Sequence, residues 1–348
     1  MKEKNILYTE PRSYFSREVR QKYRLGEFSP EAFLPRIQSV ILGHAVGDAL
    51  GVPVEFCTRE QLSRHPVIDM QGFGTYTVPE GCWSDDTSMA LATLDSLSQG
   101  KLDLKDMMDK FAKWYHRDWY TPTGKMFDVG NTCSTAIENY SLRKLPPEVC
   151  GLAGEHSNGN GALMRIHPAA LWAWYCQTEA EWESTIDKVS ALTHAHECSK
   201  LGCKIYTRVL FALLDCPKKA SVRRSIKEAA SCYAASPEYH RYARIFSPEF
   251  PRLKKEDIQS TGYIVHTLEA ALWCLLNTKS YEECVLKAVN LGDDTDTTAA
   301  VAGGLAGALY GIDAIPQKWL STLKKQEGIQ TLCEISCENW RKTQIPPT

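Results

Sequence analysis

Apolar positions along the chain recur mostly at three- and four-residue spacing, the period of helices with one buried face. The pattern predicts a first long helix over 33–50, opened by Pro30 or Pro35, because proline suits a first helical turn. Over 102–119, Leu104, Met107, Met108, Phe111, Trp114 and Tyr115 form another apolar stripe. Further helices are expected over 133–140, 163–174, 221–235, 261–276 and 281–290, with two short ones after Ile312. Residues 215–260 are polar and proline-punctuated and read as a surface insertion. Strand-type alternation is almost absent. The expected fold is all-α: one compact domain over 31–348, preceded by an N-terminal extension over 1–30.

Two helices depart from simple amphipathicity. Gly43, Gly47 and Gly51 recur every four residues along the first, which leaves one edge as bare backbone. Ala302, Gly303, Gly307 and Gly311 make a complementary edge near the end of the chain, so the two helices are expected to pack against each other. Asp48 lies beside the first stripe, where a structural hydrogen-bonding role is at least as good a reading as a catalytic one.

The small-residue helix is headed by Leu-Gly-Asp-Asp-Thr-Asp-Thr-Thr, residues 291–298. Asp and Thr are good N-caps, and carboxylates favour the positive end of a helix dipole. Stability alone does not call for three carboxylates at one point, since like charges that close repel. Ser84-Asp85-Asp86-Thr87 repeats this logic at the head of a second helix, with Met89, Leu91, Leu94 and Leu97 behind it. Two such turns have little reason to coexist unless they converge. Together they offer Ser84, Asp85, Asp86, Asp294, Asp296 and Thr297, an oxygen-only set suited to two hard cations with waters completing the shells. Glu55, an acid inside the apolar Val-Pro-Val-Glu-Phe, follows the glycine-edged helix and is expected in the same cleft.

Asp128-Val-Gly-Asn-Thr132 and the 154–165 segment (GEHSNGNGALMR) are glycine turns that lead into helices. Backbone N–H groups at such turns suit phosphate oxygens. Beside two carboxylate turns, they suggest a phosphorylated ligand. His194, His196, Cys198 and Cys203 invite a zinc reading, but their spacing fits no common zinc pattern; Thr193 instead reads as a helix cap.

Composition narrows the function classes. A formal net charge of −2 gives no footprint for nucleic acid or an anionic membrane. The polar N-terminus lacks a signal-peptide core, and the longest apolar run, near 299–309, is broken by glycines. Thirteen cysteines at irregular spacing fit buried thiols in a reduced, cytoplasmic protein. The first 24 residues carry seven basic and three acidic side chains among interspersed aromatics. They read as a solvated tail, or as an arm that docks a partner.

The motifs in order resemble the ADP-ribosylglycohydrolase family. They are Gly47-Asp48-Ala49-Leu50-Gly51, Trp83-Ser84-Asp85-Asp86-Thr87, Gly159-Asn160-Gly161 with Met164-Arg165, Thr193-His194, and Asp294-Thr295-Asp296-Thr297. The resemblance spans 35–311 and leaves the 1–30 arm outside. It implies an all-α fold with a central cleft holding two divalent cations, Mg²⁺ or Mn²⁺. By motif, the ligands would be Ser84, Asp85, Asp86, Asp294, Asp296 and Thr297, with Asp293 outside them. Glu55, Asp85 and Asp86 would be the catalytic carboxylates, Glu55 as a general base or as an exchangeable metal ligand. Gly130, Thr132, Ser157, Asn158, Gly159, Asn160, Gly161 and His194 would cradle the ADP-ribose.

The implied reaction is release of ADP-ribose from modified protein side chains, arginine foremost, reversing an ADP-ribosyltransferase. Serine-linked or O-acetyl-ADP-ribose are variant substrates. The other class of role is an immunity or regulatory protein that captures an ADP-ribosyltransferase through residues 1–30.

Overall fold

The computed structural model describes residues 30–176 and 179–344, so the arm reading falls outside the described residues. Fifteen α-helices and no strand occur among them. In chain order they are α1 Pro30–Gly51, α2 Arg59–Arg64, α3 Asp85–Leu97, α4 Leu104–Arg117, α5 Asn131–Ser141, α6 His167–Cys176, α7 Glu179–Ala191 and α8 Glu197–Asp215. There follow α9 Lys219–Cys232, α10 Ala243–Phe246, α11 Ile264–Leu276, α12 Tyr281–Val289, α13 Thr295–Tyr310, α14 Gln317–Thr322 and α15 Gln326–Gln344. Short 3₁₀ turns join several of them, including Val52–Val54 and Asn160–Arg165.

The centre of the fold is the packing of α13 along α1, the most extensive helix pair among the described residues. A Cβ added at Gly47 would lie 2.1 Å from the Ala299 carbonyl oxygen, and one at Gly51 would lie 2.3 Å from Asp296 Cα. In return, a Cβ at Gly303 would meet the Gly43 carbonyl oxygen at 2.3 Å, and one at Gly307 the Ser39 oxygen at 1.8 Å. The two backbones therefore touch without intervening side chains. Tyr281 of α12 donates its hydroxyl to the Gly43 carbonyl (2.6 Å), and Thr295 donates to the Gly51 carbonyl (2.8 Å). The expected pairing holds, with one exception: Gly311 lies past the end of α13 at φ 84° and stops the helix instead of packing.

The segment Phe33–Val54 is long and apolar enough to cross a membrane, but 94% of its most apolar 18-residue window is buried inside the protein. Its apolarity is that of a core helix. Around this pair, α3, α6, α8, α11, α12 and α15 contribute to one continuous hydrophobic core.

Three expectations are corrected. Residues 215–260 are not merely a surface insertion: Val222, Ile226, Ala229, Tyr233, Tyr242, Ile245, Phe250 and Ile258 are buried in the common core. The 222–226–229–233 spacing is one helical stripe, hidden by the polar residues between its members. The expected 163–174 helix is a 3₁₀ turn followed by α6. The last helix is long, and Trp340 on it donates to the Leu97 carbonyl (2.6 Å).

Substituting Gly47→Ala is expected to cost about 3 kcal/mol of unfolding free energy, because the new methyl meets backbone that cannot yield. Gly328→Ala in α15, where an added Cβ meets nothing within 4 Å, should be neutral or stabilise by up to about 1 kcal/mol. Denaturant unfolding of both variants checks the contrast; equal effects would remove the close-contact argument.

Candidate metal centre and substrate cleft

The α1–α13 contact sets the first carboxylates. Asp48, one residue from Gly47, reaches the head of α3 and accepts from Ser84 N–H (2.9 Å), Thr87 N–H (3.0 Å) and Thr87 Oγ1 (2.6 Å). A residue on another helix thus caps α3, alongside Ser84, whose hydroxyl accepts from Asp86 N–H (3.3 Å). The structural role read for Asp48 is therefore real. Asp85 and Asp86 are buried in the first turn of α3 without being needed to cap it. Asp86 is 1% exposed, and neither of its carboxylate oxygens has a hydrogen-bond partner.

The opposing turn heads α13. Asp294 accepts from Asn160 Nδ2 through one oxygen (2.8 Å), while the other, Oδ1, is buried and unpartnered. Asp296 is buried and accepts from Thr297 N–H (2.9 Å). Asp293 is exposed at φ 60°, and its backbone pairs with that of Phe56 (2.7 Å) and Cys57 (2.8 Å). That pairing ties the turn to the loop carrying Glu55. Arg59 holds the same region from behind, donating to the carbonyls of Leu291, Lys255 and Ile258 at 2.6–2.8 Å.

The two turns converge. Asp48, Asp86 and Asp296 bring one oxygen each within 4.8 Å of one another, and so do Glu55, Asp128 and Asp296. Asp296 belongs to both groups. Ser84 and Thr297 flank them in sequence at the heads of α3 and α13, whereas Asp85 and Asp294 lie outside both carboxylate triads. The two unpartnered oxygens of Asp86, buried against the carboxylates of Asp48 and Asp296, require positive charge or protons. An oxygen-only donor set of this kind fits hard divalent cations.

Asp128 was absent from the sequence-derived site. It stands at φ 55° in the glycine turn before α5, and its one sequence signal, an acid beginning that turn, was read as part of a phosphate loop. Glu55 is 6% exposed and accepts from the Tyr76 hydroxyl (2.7 Å), whose ring packs on Phe127 with centroids 4.9 Å apart.

The glycine turns line the neighbouring wall. Gly130 precedes α5 with open space where a side chain would project, and Thr132 is half-buried one residue into the helix. In the 154–161 segment, Ser157 N–H closes a turn onto the Gly154 carbonyl (2.9 Å). Asn158 is engaged by Ser199 (2.9 Å) and the Glu155 carbonyl (2.9 Å). Asn160 bridges Asp294 to Thr267 (2.9 Å). A Cβ on Gly161 would lie 2.9 Å from His194 Cε1 and 2.6 Å from Cys133 Sγ, and one on Gly159 would lie 3.5 Å from His194 Nε2. The imidazole therefore lies directly against this glycine turn. Burial lowers the His194 pKa to about 3, so it stands neutral.

Thr193 does not cap a helix, since α8 starts later with His196 as its cap. Its hydroxyl accepts from buried Arg165 (2.7 Å) and contacts His194 Nδ1 (2.9 Å). His196 is thereby committed to capping, and no His or Cys joins the candidate cation groups among the described residues.

Burial dominates the electrostatics. It pushes Glu55 up to about 8 and Asp48 up to about 6, the nearby carboxylates adding to the rise at Glu55. Asp85, Asp86 and Asp296 rise well above the usual carboxylate range for the same two reasons, burial first.

A family model described as ADP-ribosylglycohydrolase matches residues 29–345. The ADP-ribosylarginine hydrolase Tri1 of Pseudomonas putida is 34% identical over 315 residues, covering 89% of this chain and 80% of that protein. The ADP-ribosyl-[dinitrogen reductase] glycohydrolase of Rhodospirillum rubrum is 34% identical over 291 residues, covering 83% and 90%. A solved ADP-ribosylglycohydrolase-related protein complex aligns with a TM-score of 0.75 at 30% identity, over 89% of this chain and 99% of that one.

Without cations, stability should fall as pH rises. The folded state keeps protons on Glu55 between its ordinary 4.5 and about 8, while the unfolded chain has already released them, so each step up in that window favours unfolding. Melting temperature followed from pH 5 to 8 (about this range) in EDTA is expected to decline, and added Mg²⁺ or Mn²⁺ should flatten the decline. A flat or rising EDTA curve would contradict the uncompensated cluster.

Proposed function

The chain belongs to the ADP-ribosylglycohydrolase family, and from that premise we propose that it hydrolyses the N-glycosidic bond between ADP-ribose and arginine side chains of proteins, reversing an ADP-ribosyltransferase. The observation that carries the reading is the convergence of Asp86, with both oxygens buried and unpartnered, on Asp48 and Asp296 beside a second group of Glu55, Asp128 and Asp296. Two relatives of about one-third identity, one named for arginine and one for dinitrogen reductase, support the substrate class.

Two divalent cations, Mg²⁺ or Mn²⁺, are assigned to this cleft, with Ser84, Asp85, Asp86, Asp294, Asp296 and Thr297 holding them and Asp48 and Asp128 as further oxygens at hand. Such ions supply Lewis acidity and orientation of sugar hydroxyls and water. The chain's residues do the rest. The 157–161 turn, backed by His194, and the turn with Gly130 and Thr132 bind the ADP-ribose phosphates and sugars, the bare backbone of their glycines allowing close approach.

Hydrolysis adds water oxygen to the anomeric carbon as the carbon–nitrogen bond breaks, through an oxocarbenium-like transition state. The bond's electron pair goes to the guanidine nitrogen, and one water proton ends there. Glu55 is the carboxylate we assign to take the water's proton. Its side chain is held by Tyr76, and its carboxylate faces Asp128 and Asp296 inside the cleft, where a proton acceptor is needed. Asp85 and Asp86 are the other candidates for that role. Buried thiols such as Cys133, Cys203 and Cys284 suit a reducing compartment, and we place the protein in the cytoplasm.

Release of ADP-ribose from arginine-linked and serine-linked proteins, with Mg²⁺, Mn²⁺ or EDTA, tests this reading. Arginine release should require metal, and Asp86→Asn should lower kcat/KM by about a hundredfold or more while weakening Mn²⁺ binding measured by calorimetry. Release from serine alone would overturn the acceptor, and metal-independent release would overturn the centre.

A further inference from the structure

Between α1 and α3 the chain exposes large apolar side chains where a compact helical protein has no structural use for them. Phe56 is 67% exposed and Phe73 is 70% exposed. Both adopt left-handed backbone, at φ 66° and 59°, a costly region for a bulky aromatic. The hydrogen bonds that hold them there are specific. Phe56 N–H donates to the Asp293 carbonyl (2.7 Å) and Phe73 N–H to the Val78 carbonyl (2.8 Å). Thr75 N–H donates to the Pro53 carbonyl (2.8 Å), and Thr75 Oγ1 to the Glu55 carbonyl (2.7 Å).

The two rings therefore stand on two segments stitched together around Glu55, the residue whose carboxylate faces Asp128 and Asp296. Neither ring contributes to the core, and neither belongs to the carboxylate groups.

We infer that Phe56 and Phe73 contact the polypeptide that carries the modified side chain. The occupant follows from position. On the hydrolase reading the glycine turns take the ADP-ribose and the bond to be cut lies at Glu55, so the acceptor side chain and its flanking residues lie on the side of the segments that carry Phe56 and Phe73. Exposed aromatics on the segments bonded around Glu55 offer large contact area at low side-chain entropy cost and take the role of anchors. This inference rests on the hydrolase reading. It adds that a protein substrate is recognised beyond its ADP-ribosylarginine, by apolar contact with the residues around it.

The test compares one bond in two settings: free ADP-ribosylarginine and a folded protein bearing ADP-ribosylarginine. The double variant Phe56→Asn with Phe73→Asn keeps residues that tolerate left-handed backbone, so the loop's path is preserved. It should raise KM for the protein substrate about tenfold, with kcat/KM on free ADP-ribosylarginine within about twofold of wild type. Its melting temperature reports that the fold is intact. Loss of equal size on both substrates, or no change on either, overturns the inference. Failure of the wild type to cleave free ADP-ribosylarginine is the distinct signature that the hydrolase reading itself is wrong.

Discussion

Everything in the cleft depends on two helices whose backbones touch. The contact between α1 and α13 has no side chains within it, so the distance between the helices is set by main-chain van der Waals radii. That fixes the position of whatever projects beside it. Asp48 leaves α1 next to Gly47, and Asp296 leaves α13 against Gly51. Their convergence follows from the packing. Asp48 then orients α3 by accepting from its first-turn N–H groups, and that places Asp86. One interface positions three helices and the carboxylates they carry.

Hydrogen bonds outside that contact explain why so much negative charge survives in the interior. A surface cluster would relax by rotating its carboxylates into water. Here the turns are pinned: Asp293 to Phe56 and Cys57, Asp294 to Ser260 and Asn160, and the loop behind them to Arg59. The carboxylates cannot separate, and the free energy of their repulsion and burial is held in the fold until protons or cations relieve it. Preorganisation of this kind is what makes a hard-ion site selective in geometry.

Much of this was legible in the sequence, for physical reasons that can be named. The glycine spacing of α1 signals close approach because nothing but glycine fits there. The two Asp–Asp–Thr and Asp–Thr–Asp–Thr turns signal convergence because their charge exceeds what capping requires. Asp128 was not legible: a single acid opening a glycine turn carries no periodicity, and only three-dimensional folding brings it to Glu55. The buried stripe of α9 was masked by the polar residues between its members. Thr193 looked like a cap because Thr-His precedes a helix, but its hydroxyl serves Arg165 and His194 instead.

The bare-backbone interface also governs how such a chain can change length. A residue inserted between Gly43 and Asp48 would turn everything beyond it by about 100° around the helix. That single event would carry the glycine edge off α13 and swing Asp48 away from α3. Both helices are therefore frozen in register over this interval, like meshed gears that can skip no tooth. The stretch between Val54 and Ser84 is held by separate hydrogen bonds, among them Phe56 and Cys57 to Asp293 and Thr75 to Pro53, so a change of length there would leave the meshed helices in register.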